Sequence, residues 1–164
     1  MKSYPYDSIP TTDENGNVTY DRYVTAATER ALTKALFTDG ILPNPELGWE
    51  VVVSTNMTVT ISPIFCFANG LKCIEENETE WTFDDSDTKP RIDRLVVRGD
   101  ISTEVRDAFF YIIKGTPADT PVVPDRLTGT MISDIVLADV YIPANSTAIS
   151  QARSEERRVG KECR

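Results

Sequence analysis

The residues considered for chemistry are carboxylates, two thiols and two tryptophans, in a chain whose 164 residues include no histidine. That removes the commonest general base at neutral pH, the Ser-His and Cys-His nucleophilic pairs, and zinc sites with imidazole ligands. The densest carboxylates are Asp84, Asp85, Asp87 and Asp93 in FDDSDTKPRID. A calcium loop of the EF-hand kind needs a glycine at its sharp turn and a terminal glutamate, and this stretch has neither. It reads as a solvated turn between strands, as does DENGN (13–17). Asp139 interrupts IVLADVYI, and a carboxylate in so apolar a strand needs a partner. Arg94 or Arg98 in RIDRLVVR serves if the two strands are neighbours, so a structural ion pair is expected. No second acid or base is spaced to join Asp139 in catalysis, and the chain is expected not to be an enzyme.

Cys66 and Cys73 flank a hairpin candidate in SPIFCFANGLKCIE. With Asn69-Gly70 as a two-residue loop, Ala68 faces Leu71, Phe67 faces Lys72, and Cys66 faces Cys73. This third pair is a hydrogen-bonded one, where the backbones sit farther apart. In a reducing compartment two small buried hydrophobes are the expectation, with a disulfide as the alternative. The spacing is not CxxC, and neither a metal nor a cofactor is expected. Trp81 shares a strand face with Thr79 and Phe83 while Glu78, Glu80 and Thr82 take the other, which points Trp81 toward a core. Trp49 is undecided between core and surface. It is the candidate glycan contact if the chain is a carbohydrate-binding module for a bacterial surface glycan.

These residues must be positioned by one domain, which is what the chain length supports. DRYVTAATERALTKALF (21–37) places Val24, Ala27, Ala31, Leu32, Ala35 and Leu36 on one helical stripe. Asp21 stands where a capping acid belongs, and Gly40, Pro43 and Pro45 end the helix. The alanines on that stripe let it lie close against a partner surface. From Trp49 onward the text is strand-like: WEVVVS, MTVTIS, IFCFA, LKCIE, TEWTF, RIDRLVVR, AFFYIIKG and SDIVLADVYIP. The last two are apolar on both faces, which predicts central positions in a sheet. A Pro-rich connection, 115–130, lies between them. The expected fold is mainly β: an antiparallel β-sandwich or rolled sheet carrying one N-terminal α-helix at about 21–37. Residues 1–20 read as an irregular arm with a tight turn at Asn15-Gly16, and 21–152 as the domain.

Formal net charge is −9. Residues 153–164 hold five basic and three acidic side chains, so residues 1–152 carry −11. An acidic body repels phosphate backbones, and no nucleic-acid partner is expected. No stretch approaches about eighteen consecutive apolar residues, so membrane insertion is not expected. MKSYPYDSIP lacks the apolar run of a signal peptide, which predicts a product made in the cytoplasm and carried out only within an assembly.

Taken in order, RIDRLVVR, FFYIIKG, TPADTPVVPDRLTGT and DIVLADVYIPANSTAISQA, with ANGL and YPYDSI…DRY upstream, resemble one family. It is the N-terminal region of baseplate and tail-fibre proteins of long-tailed phages and prophages of Gram-positive bacteria, of the upper-baseplate or receptor-binding type. The resemblance covers about residues 4–152. It departs at Ile64, where the family commonly has glycine, and in GDISTEVRD. It implies a virion structural module that docks a fibre or receptor-binding protein onto the tail, without catalytic residues. Implied partners are other tail or baseplate proteins, a homotrimer in the full-length protein, and host cell-wall glycan through a downstream part. Candidate docking residues are Tyr4, Tyr6, Ile9 and Tyr23, with the exposed side of the helix. The ending RSEERRVGKECR matches, codon by codon, the in-frame translation of a sequencing adapter, so 153–164 are expected not to belong to the natural protein.

Overall fold

A computed structural model describes residues 9–20, 24–42, 49–54 and 56–149, and the backbone of 151–154. In chain order the elements are β1 (Pro10–Thr12), β2 (Val18–Tyr20), α1 (Ala26–Leu36), β3 (Gly40–Ile41), β4 (Val51–Val53) and β5 (Thr58–Ile61). They continue with β6 (Ile64–Ala68), β7 (Leu71–Glu75), β8 (Thr79–Thr82), β9 (Arg91–Asp100), β10 (Asp107–Ile113), β11 (Ile132–Ile142) and β12 (Gln151–Ser154). Among the described residues the chain is mainly β, with four antiparallel sheets and a single short helix, consistent with a β-sandwich carrying one helix.

The long strands β9 and β11 pair along their whole length in the sheet β10-β9-β11-β12. Period-two alternation turns Leu95, Val97, Ile135, Ala138, Val140 and Ile142 to one face, where all are buried. Two three-stranded sheets complete the core: β4-β5-β8 supplies Val51, Val59 and Ile61, and β3-β6-β7 supplies Ile41, Ile64, Cys66 and Ala68. Each fully buried branched side chain contributes about 1.5–3 kcal/mol over its exposed state. A β-bulge between Val136 and Ala138 shifts the β9–β11 register.

Three expectations are corrected. Residues 1–20 are not wholly irregular: Pro10–Tyr20 form a hairpin, closed where the Asp13 carboxylate accepts the amides of Asn15 and Asn17. The helix starts at Ala26 rather than 21, because Thr25 is the cap, its hydroxyl accepting the Thr28 amide; Asp21 lies outside the described residues. AFFYIIK (108–114) is at the edge of its sheet, not the centre. It is apolar on both faces because Phe110 and Ile112 pack on the core while Phe109 and Tyr111 lie on the opposite face beside Arg98.

Candidate functional site

The face of β9 and β11 away from the core carries the charged residues. Arg94 and Arg98 are four apart and therefore point the same way. Asp134 and Asp139 are five apart and would point opposite ways in an unbroken strand. The bulge absorbs the odd residue, so register sets Asp134 opposite Arg98 and Asp139 opposite Arg94. Both pairs are bidentate. Arg94 donates to Asp139 at 2.7 and 3.0 Å, with 14% of each side chain exposed. Arg98 donates to Asp134 at 2.8 and 3.0 Å, and stacks 4.1 Å over the Tyr111 ring. The hydrogen bonds that Arg98 donates to Asp134 raise its pKa above the ordinary value. Asp134 also accepts the Leu127 amide at 2.9 Å, which straps the Pro-rich connection to the sheet. Sequence reasoning offered both arginines to Asp139. The structure gives it Arg94, and Arg98 takes Asp134. The signal for Asp134 was the matched pair of aspartates in SDIVLAD, hidden by the bulge.

The other two charges of RIDR turn inward at the core's rim. Arg91 is fully buried, and every nitrogen of its guanidinium has an acceptor: Asp93 from Nε, and the carbonyls of Asp85 and Asp84 from Nη1 and Nη2. Asp93 in turn accepts the Gly115 amide at 2.8 Å. The aspartate-rich turn is therefore gripped through its backbone. Asp84 also receives Lys114 at 2.7 Å, which lowers its pKa. Among the described residues no three potential metal ligands converge.

The helix is attached at the ANG turn. Asn69 donates its amide to Asp39 and its side-chain nitrogen to the Thr130 carbonyl, and its oxygen accepts from Lys34 of α1. Ser133 donates to the other Asp39 oxygen at 2.9 Å. Gly70 has φ +79°, and a Cβ there would lie 2.8 Å from the Arg30 carbonyl, so only glycine lets helix and turn meet. Phe37 stacks on Phe67 with ring centres 4.5 Å apart. A cleft of about 350 Å³ opens beside this joint, lined by Lys34, Asp39, Asn69, Arg126, Thr130 and Ser133 among others.

That attachment uses the polar side of α1. Its alanine and leucine stripe faces solvent: no residue of the helix is buried, and Leu32 and Leu36 are 54% and 64% exposed. Val24 beside it is exposed as well. Of the candidate docking residues, Ile9 is exposed, whereas Tyr4, Tyr6 and Tyr23 lie outside the described residues. Trp49 is half-buried against the core, and Trp81 packs there at 5.7 Å from the Phe110 ring. No family model, curated protein or solved structure matches the chain. Chemically, the charged residues form matched donor and acceptor sets that hold strands and loops in place. Among the described residues the apolar side of α1 is an exposed apolar surface, alongside single exposed apolar side chains such as Ile74 and Val122.

Proposed function

We propose that this chain is an attachment domain of a phage tail or baseplate, which docks a fibre or receptor-binding protein to the tail by shape-complementary contact and without turnover. One observation carries the reading: a helix fastened by its polar side presents its apolar side outward. A surface helix of a self-sufficient domain normally does the reverse. An apolar strip framed by charged and polar residues is the composition of an interface core with its rim. The ordered motifs support the same reading, because RIDR, the KG step and ANG each have a mechanical task here: clamping the aspartate turn, receiving a backbone in close approach, and anchoring the helix. The partner fitting α1 is a tail protein offering a shallow apolar groove.

The test is photocross-linking in assembled particles. A benzophenone side chain at Leu36 should link to a different tail protein, while one at exposed Val122, remote in sequence from α1, should not. Equal linking at both positions, or none at Leu36 in particles that contain the protein, overturns the proposal. Calorimetry with host wall polysaccharide covers the glycan alternative, for which Trp49→Ala should abolish binding.

A further inference from the structure

Cys66 and Cys73 take no part in the docking proposed above. β6 and β7 set them directly opposite one another. Cys66 is fully buried in the core, Cys73 is half-buried beside it, and both are free thiols. Asn69 and Gly70 have φ of +54° and +79°, the signature of a two-residue turn with both central residues left-handed. Counting outward from that turn, Ala68 and Leu71 are a hydrogen-bonded pair, Phe67 and Lys72 are not, and Cys66 and Cys73 again are. Their α-carbons then lie about 5.5 Å apart, inside the roughly 4.4–6.8 Å that a disulfide spans. The β-carbons must approach to about 3.5–4.5 Å, closer than such a pair ordinarily allows, so the bond would form under strain. Strained or exposed disulfides are the readily reduced ones.

We propose that Cys66 and Cys73 are a reversible thiol–disulfide couple, oxidised by a small disulfide of the glutathione class, whose closure staples the hairpin that anchors α1. Cys73 is the entry point because it is half-buried whereas Cys66 is fully buried. Interaction between the facing thiols holds the Cys73 pKa below its ordinary value and, together with burial, pushes that of Cys66 up, while the Cys73 thiol donates to the Leu71 carbonyl at 3.7 Å. The Cys73 thiolate attacks one sulfur of oxidised glutathione, the S–S bond breaks, and one glutathione leaves as a thiolate that takes up a proton. Cys66 then loses its proton to solvent and attacks the Cys73 sulfur of the mixed disulfide, releasing the second glutathione. Two protein thiols are oxidised, and one glutathione disulfide is reduced to two thiols. In a reducing cytoplasm the pair stays open; outside the cell it closes.

The test uses the full chain with Cys163→Ser, which leaves only these two of its three cysteines. It is equilibrated with graded mixtures of reduced and oxidised glutathione, trapped with iodoacetamide, and weighed intact. The expected result is that both alkylation sites disappear together, with a Cys66–Cys73 link in the peptide map. Cys66→Ala should stop at a glutathione adduct on Cys73, and Cys66→Val serves the same purpose if the alanine variant does not fold. Two alkylated thiols surviving in the most oxidising mixture overturn the proposal. So does separate glutathionylation of both cysteines without a link.

Discussion

Replacing Gly115 by alanine tests most sharply whether the RIDR charges build this fold. A Cβ there would sit 2.0 Å from the Ile92 carbonyl oxygen and 2.9 Å from its carbon, where real contacts stay beyond 3.0 Å. The two backbones would have to part by about 1 Å. The Gly115 amide donates to buried Asp93 at 2.8 Å, and a displacement of that size breaks the bond. Losing a hydrogen bond to a charged group costs about 1.5–3 kcal/mol, and the forced backbone shift about 1–3 kcal/mol more. The sum is about 2.5–6 kcal/mol, on the order of 10 °C in Tm for a domain of this size. Two other glycines grade the effect. At Gly99 the new Cβ would meet the Ala68 oxygen at 2.8 Å and the Ala68 Cβ at 2.9 Å, for a cost of about 1–3 kcal/mol. At Gly129 the nearest atom is 3.3 Å away, and the change should fall within about 0.5 kcal/mol of neutral. Urea unfolding followed by circular dichroism reads all three, with the denaturant slope checked for constancy. If Gly115→Ala is as stable as the parent, or no worse than Gly129→Ala, the reasoning is wrong.

Burial should rank the ion pairs. Asp93→Asn strips charge from beside the fully buried Arg91 and should cost about 3–5 kcal/mol, whereas Asp139→Asn, at a pair still partly solvated, should cost about 1–2 kcal/mol; the reverse order in urea melts refutes the ranking. Asp119→Asn at the exposed Lys89 pair should change stability by less than about 0.5 kcal/mol. Asn69→Ala removes the bonds to Lys34 and Thr130, so amides of α1 should exchange about tenfold or more faster while those of β9 and β11 keep their protection; uniform acceleration would show that the helix is not separately anchored. Asp84 and Asp100 have pKa values below the ordinary 3.8, so their contribution is full above that value and is lost as pH falls through their folded pKa. Lys114→Met should therefore shrink the loss of Tm between about pH 5 and pH 2, and an unchanged acid profile contradicts it.

Local chemistry explains what could be read in advance. Asn69-Gly70 fixed a turn, the turn fixed a register, and the register put Cys66 opposite Cys73. The eight strand segments and the proximity of Asp139 to an arginine followed from alternation and from the cost of a lone buried charge. What escaped was set by features without a periodic trace. The bulge near Leu137 reverses the facing of everything beyond it, which concealed the partnership of Asp134 with Arg98. The stripe on α1 identified a helix but not its direction, because the turn at Asn69 and Gly70 claims the polar side. Nothing in the sequence singled out Arg91, whose burial is made tolerable by Asp93 together with the carbonyls of Asp84 and Asp85, brought back by the chain reversal. The β1–β2 hairpin was missed because its strands are three residues long and exposed.

The most direct measurement is incorporation into particles of protein carrying Leu32→Asp and Leu36→Asp. Both side chains are exposed, so the domain should keep its melting temperature. A lost apolar anchor worth about 2 kcal/mol at each position lowers affinity about thirtyfold per position, and the double variant should be depleted from purified tails by at least that factor. Tails that incorporate it as well as the parent would contradict the role assigned to this helix.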